Sequence, residues 1–139
     1  MKFIPSPGQE QTLEARVLGE DSKVLTFIKI AALNGRELSP LGKKRLLNLP
    51  QEFEIWTIES IFVAPETRGK GIGTNLVLEA ATFLGPKVVL TAQENVRLGK
   101  TSLSARYLWR KLEKLQTPEY ETGSFWIKRS EGVWSIEHD

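Results

Sequence analysis

Apolar and polar residues alternate over 12 to 18 (TLEARVL), GEDS interrupts, and KVLTFIKIAAL at 23 to 33 resumes with Val24, Leu25, Phe27, Ile28 and Ile30. A period of two sends successive side chains to opposite faces of a strand, so the two runs predict an antiparallel hairpin. Asn34-Gly35 closes it, and Ser39-Pro40 opens LGKKRLLNL, one or two helical turns ahead of Pro50. EIWTIESIFV at 54 to 63 is β-branched and aromatic. It predicts a long central strand with Ile55, Thr57, Glu59 and Ile61 on one face and Trp56, Ile58, Ser60 and Phe62 on the other. Ala64-Pro65 ends it, since proline has no donor for a ladder. Ile72, Leu76, Val77, Ala80 and Leu84 then recur at helical spacing up to Gly85-Pro86, and KVVLTA at 87 to 92 is a short buried strand.

Residues 55 to 92 therefore form a βαβ unit with parallel strands. Ser102 starts a second helix running to about Leu115, with Leu108, Leu112 and Leu115 inward and Arg106, Arg110 and Lys114 outward. GSFWIKR (123 to 129) and GVWSIEH (132 to 138) predict a closing hairpin. The order ββ(α)βαβαββ specifies a mixed α/β fold, with a mostly antiparallel sheet, one parallel pair at its centre and helices packed on it. No repeat and no Pro-, Gly- or Ser-rich linker divides the chain, so a single domain over 1–139 is expected.

Composition narrows the classes. With 139 residues, 40% hydrophobic and 26% charged, the chain has ordinary globular usage. No apolar stretch reaches the roughly 18 to 20 residues a membrane span needs, and MKFIPSPGQEQ lacks the apolar segment of a secretory signal, so no membrane role is expected. Cysteine is absent and His138 is the one histidine, which leaves no thiolate nucleophile and no metal cluster; the expected compartment is cytoplasmic. The net charge of +2 hides eight Lys or Arg against three acids between 97 and 129. Such a flank is either a solvated helix face or a surface for phosphate-rich partners.

The most informative stretch is Arg68-Gly69-Lys70-Gly71-Ile72-Gly73, set between a strand and a helix. Glycines let backbone approach a ligand, and free amides at a helix start attract phosphate. A dinucleotide fingerprint fails, because the third glycine falls on Thr74 and no acid follows KVVLTAQ. A Walker loop at Gly99-Lys100-Thr101 fails because Glu94 stands where its first glycine belongs.

Ile58 to Gly73, IESIFVAPETRGKGIG, resembles the GNAT superfamily of acyl-CoA-dependent N-acetyltransferases, whose signature Arg/Gln-x-x-Gly-x-Gly/Ala follows a strand ending in Val-x-Pro; Arg68, Gly71 and Gly73 fill it. The second helix is similar to the family's Ala-x-x-Leu-Tyr-x-Lys-Leu in Ala105, Leu108, Lys111 and Leu112, with Trp109 in place of the tyrosine. The resemblance covers about 54 to 138. It implies a GNAT-like fold with a splayed parallel pair, helices on both faces and a shortened N-terminal part, and an enzyme that moves an acetyl group from acetyl-CoA to an amine by direct attack in a ternary complex. It implies pyrophosphate on the amides of Gly69, Lys70, Gly71, Ile72, Gly73 and Thr74 with Arg68 alongside, and the pantetheine arm along Ile61, Phe62 and Val63. Ser102 is a cofactor contact or simply an N-cap, and Trp109 borders the thioester. No metal is implied.

For chemistry, a backbone amide near Phe62 or Val63 polarises the thioester carbonyl. Glu59 is the candidate base, directly or through water, against the alternative of an exposed or ion-paired strand residue; Glu54, Gln93 and Glu94 stand behind it, and His138 reads as a solvated terminal imidazole. An indole does not titrate usefully, so a thiolate acid falls to Tyr107 or Tyr120, or none is needed. The acceptor is a small molecule, a protein or an aminoacyl-tRNA. The competing functions are a CoA-binding module without turnover, prompted by Trp109, and a nucleic-acid-binding domain using Arg106, Arg110, Lys111 and Lys114. Trp56, Trp126 and Trp134 serve the core or, in a possible homodimer, an interface.

Overall fold

The computed structural model describes residues 2–9, 11–33, 53–92, 103–115 and 117–131. Its strands are β1 (Ile4–Pro5), β2 (Thr12–Leu18), β3 (Val24–Ala32), β4 (Glu54–Val63), β5 (Val88–Ala92), β6 (Tyr120–Gly123) and β7 (Trp126–Arg129), and its helices α1 (Ile72–Leu84) and α2 (Leu103–Glu113). They build one sheet in the order β1-β2-β3-β4-β5-β7-β6. β4 and β5 pair in parallel, and the other neighbours are antiparallel. This is the mixed sheet with a central parallel pair that the sequence specifies.

The hairpin of β2 and β3 forms where alternation predicts it. β1 is an addition, too short for periodicity; Pro5 is tolerated because β1 is an outer strand. Beside it Phe3 stacks on Phe83 of α1, ring centroids 4.8 Å apart.

β4 departs from simple alternation. Lys29 faces Ser60 while Ile30 faces Ile58, so Glu59 is an extra residue against β3, a β-bulge. The bulge reverses the parity of everything after it. Trp56 and Ile58 before it and Ile61 and Val63 after it join the same core cluster, which corrects the faces predicted from the sequence. Phe62 is thereby turned to the other face and stands 41% exposed.

The main cluster joins Ile28, Ile30, Ile58, Leu90 and Ile127 of the sheet to Leu76, Val77 and Ala80 of α1 and Trp109 and Leu112 of α2. Both described helices thus share one face. The other face carries Val89 and Trp126 with Leu33, Phe53 and Ile55. The helical turns expected after Pro40 lie outside the described residues, as do Trp134 and the strand expected over 132–138. Trp126 is buried and Trp56 packs against the main cluster, so both serve the core.

The closing hairpin is shifted from its predicted place. It pairs β6 with β7 through Ser124-Phe125, from Tyr120 opposite Arg129 to Gly123 opposite Trp126. The turn holds Phe125 at φ +67°, a conformation usually announced by glycine or asparagine, so no turn signal marked it.

Candidate active site

The β4–β5 register runs from Glu54 opposite Val88 to Ile58 opposite Ala92, and β4 continues to Val63. A cleft of about 600 Å³ opens there, walled by Ile58 to Ile61 and Val63 of β4, Ala92 of β5, the glycine turn with the start of α1, and Ala105 and Tyr107 to Trp109 of α2.

The mouth of this cleft follows from the chain after Val63. The amide of Ala64 donates to Leu25 O at 2.8 Å, and Pro65–Thr67 form a short 3₁₀ turn closed by Thr67 Oγ1 donating to Ala64 O at 2.9 Å. Arg68 Nε donates back to Val63 O at 2.9 Å, tying the turn to the strand end. Lys23 pairs with Glu66 at 3.0 Å, and a backbone hydrogen bond first, then Lys23, holds the Glu66 carboxyl below its ordinary value. Gly69 (φ +83°) and Gly71 (φ +76°) then take left-handed conformations that L side chains adopt at a cost.

Gly71 caps α1 without a side-chain hydrogen bond, and its carbonyl receives the amide of Asn75 at 3.0 Å. Helix geometry leaves the amides of Ile72, Gly73 and Thr74 without intrahelical acceptors, at the positive end of the macrodipole. A Cβ built on Gly69 or Gly71 would meet nothing within 4 Å, so space above the turn is open to a ligand. Backbone donors, a guanidinium and open space fit a pyrophosphate.

Most of the sequence-predicted residues meet here. Ile61, Val63, Arg68, Gly69, Gly71, Ile72, Gly73 and Thr74 line the cleft, with Glu59, Tyr107 and Trp109. Glu59 is the bulge residue and half-buried. Trp109 is 3% exposed and belongs to the core as well as to the wall. Tyr107 is 64% exposed, with the Lys111 ammonium 4.9 Å from its ring centroid.

Lys70 and the side chain of Phe62 are exposed and not part of the wall. Tyr120 is not brought to the cleft. It starts β6, and its hydroxyl lies 2.6 Å from Thr82 Oγ1 and donates to Leu78 O at 3.4 Å, both on α1. This corrects the expectation of a loop tyrosine free to reach the thioester. Glu54 sits at the opposite end of β4 and accepts from Trp56 Nε1 at 2.8 Å. Gln93, Glu94, Ser102 and His138 lie outside the described residues. Ser60, Ala92, Ala105, Leu108 and Lys111 join the wall without having been named as site residues. The last three sit on the helix whose pattern was already visible, whereas no sequence pattern marks Ser60 or Ala92.

Among the described residues no group of three or more His, Cys, Asp or Glu is placed to hold a metal, and no helix is long and apolar enough to cross a membrane.

Comparison with known proteins bears on these features. No curated protein sequence is similar enough to count as a relative. Among solved structures, AtaT complexed with acetyl-methionyl-tRNAfMet has a TM-score of 0.54 at 11% identity, over 94% of this chain and 77% of that one. The aminoglycoside 6'-N-acetyltransferase AAC(6')-Ih from Acinetobacter baumannii gives 0.45 at 16%, over 84% and 70%. A mutant BH1408 protein from Bacillus halodurans gives 0.46 at 20%, over 79% of this chain, which spans 65% of its length. At 11% identity the likeness to AtaT is one of fold. The sequence pattern of the acetyltransferase (GNAT) family matches residues 3–99. That match takes in more than half of the chain, including the bulged strand, the glycine turn and α1, and it identifies the chain as a member of the GNAT acetyltransferase family.

Proposed function

We propose that this protein transfers an acetyl group from acetyl-CoA to a primary amine by direct attack in a ternary complex. The observation that carries the reading is the cleft lined by Ile58 to Ile61 and Val63 of β4 and Ala92 of β5, with the uncapped start of α1 in its wall. Acetyl-CoA supplies an activated acyl group, and its leaving group is an alkyl thiolate, of the class for which cysteine's pKa of about 8.5 is the reference, so a dedicated acid is not required for departure.

The chain's residues then have defined tasks. The amides of 69 to 74 and the Arg68 guanidinium bind the pyrophosphate, with Lys70 adding charge from outside the wall. The edge of β4 from Ile61 to Val63 hydrogen-bonds the extended pantetheine arm as a missing strand would, and an amide near Phe62 or Val63 polarises the thioester carbonyl. Glu59 takes the proton from the attacking amine, directly or through one water. Trp109 packs beside the reacting end and excludes water. Tyr107 is the tyrosine at the cleft that can give a proton to the thiolate, and Ser102 precedes the helix bearing both.

The acceptor is a small molecule, a protein amine or an aminoacyl-tRNA. The reading includes work in the cytoplasm, with which a chain without cysteine is consistent, and pairing of copies through an outer strand. A second reading, CoA binding without turnover, is favoured by Trp109, because a buried indole stands where the family has a tyrosine. Thiol release from acetyl-CoA across a panel of amines separates the two. Transfer that falls by about 10² to 10⁴ in Glu59→Gln, with unchanged affinity for acetyl-CoA, is the result expected of a lost base. Binding without transfer to any amine would leave the second reading.

A further inference from the structure

α2 and the residue that follows it carry Arg106, Arg110, Lys111 and Lys114. The acid of this helix does not neutralise them, because Glu113 is turned to the closing hairpin, where its Oε1 accepts from Ser124 Oγ at 3.4 Å. Arg110, Lys111 and Lys114 are exposed, and among the described residues none of the four cations forms an ion pair. Like charges four positions apart repel on a helix, so the row Arg106, Arg110, Lys114 works against α2 itself, even though cations in the last turn suit the macrodipole. Helix stability does not account for that row.

The cationic face runs into the cleft. Tyr107 and Lys111 belong to both, lining the cleft beside Trp109 while standing exposed on α2, with the Lys111 ammonium 4.9 Å from the Tyr107 ring centroid. The charges in the cleft wall are those of Glu59, Arg68 and Lys111. A polyamine meets repulsion at such a rim, whereas a polyanion is drawn along it. Residues four apart on a helix advance by about 6 Å, so Arg106, Arg110 and Lys114 form a regular row. That regularity suits the evenly spaced phosphates of a nucleic acid strand better than the scattered carboxylates of an acidic protein. The exocyclic amines of nucleobases are conjugated and poor nucleophiles. An aliphatic amine borne on a nucleic acid is instead the α-amino group of an aminoacyl ester at the 3′ end of RNA. An α-amino group titrates near ~8 against ~10.4 for lysine, so more of it is the neutral nucleophile at pH 7.

We propose that the exposed face of α2 docks the phosphate backbone of an RNA whose aminoacyl end supplies the acceptor amine. The acceptor role rests on the reading of the cleft as an acetyl-CoA site; the docking does not. The aminoacyl nitrogen forms the amide bond to the acetyl carbon as the carbon–sulfur bond breaks, its proton passing to Glu59 and the electron pair leaving on the CoA sulfur.

The test compares total tRNA charged with a mixture of amino acids against the corresponding amino acid amides, spermidine and an acidic peptide with a free N-terminus. It uses the wild type and the double variant Arg110→Gln/Lys114→Gln, whose exposed side chains lie outside the cleft wall. Transfer to charged tRNA should exceed transfer to the amides, and tRNA affinity should fall with salt. In the variant the slope of log affinity against log salt should shrink by about 1.4 to 1.8, at roughly 0.7 to 0.9 per lost phosphate contact, and tRNA affinity in about 0.1 M salt should drop by about 10-fold to 100-fold. Acetyl-CoA affinity and transfer to the amides should stay at their wild-type values. Acetyl-CoA binding without transfer to charged tRNA, or a salt slope unchanged in the variant, overturns the proposal; acetylation of spermidine or the peptide instead leaves the acetyl-transfer reading standing. A wild type that binds tRNA with this salt dependence and binds no acetyl-CoA upholds the docking face and removes the acetyl-transfer reading.

Discussion

Gly71 and Gly73 occupy neighbouring signature positions for different physical reasons. Gly71 has φ +76° in open space, so a methyl group there strains the backbone without meeting any atom. Gly73 is helical, and its added Cβ would lie 3.8 Å from both Leu108 Cδ1 and Val63 Cγ2, an ordinary contact. Gly71→Ala should therefore cost about 1–2 kcal/mol of stability, whereas Gly73→Ala should be neutral or gain up to about 1 kcal/mol. Equilibrium denaturation of both variants checks this, and equal losses would contradict it. The Arg68–Gly73 stretch was legible in the sequence because backbone geometry there demands a residue type. Tyr120 was not, since the partner of its hydroxyl, Thr82 on α1, is 38 positions away and unrelated to any local period.

Elements were readable to the extent that their own period decides them. β2, β3, β5 and both helices formed within two residues of the bounds predicted, each carrying a face that must be buried. The bulge in β4 was hidden because it belongs to pairing with β3, and no local residue announces it. The closing hairpin was misplaced because Phe125 holds a left-handed turn that tertiary packing, and not turn chemistry, enforces. Its tight register exacts a condition on Gly123: a Cβ there would stand 2.1 Å from Trp126 Nε1. Gly123→Ala should force the buried indole to shift and destabilise by about 1–3 kcal/mol, measurable as a lowered denaturation midpoint. An unchanged midpoint would mean that Trp126 repacks freely.

At the scale of the molecule, three separately specified features converge on one cleft. The bulge turns Ile61 and Val63 toward the helices, the glycine turn ends in an uncapped helix start, and α2 closes the wall with Trp109 and Leu108. Sequence motifs located the first wall and the second helix; the volume between them, and the turning of Phe62 away from it, are products of assembly. The family match over residues 3–99 takes in the first two of these features, the bulge and the glycine turn.

The central claim, that this cleft binds acetyl-CoA through the amides of the glycine turn, is tested most directly by calorimetric titration of acetyl-CoA and desulfo-CoA into the wild type and Gly71→Glu. The account predicts similar affinity of the wild type for both ligands, because pyrophosphate contacts ignore the sulfur, and loss of both in the variant, where a carboxylate enters the phosphate site. Binding to Gly71→Glu as tight as to the wild type, or no binding to the wild type at millimolar ligand, would contradict it.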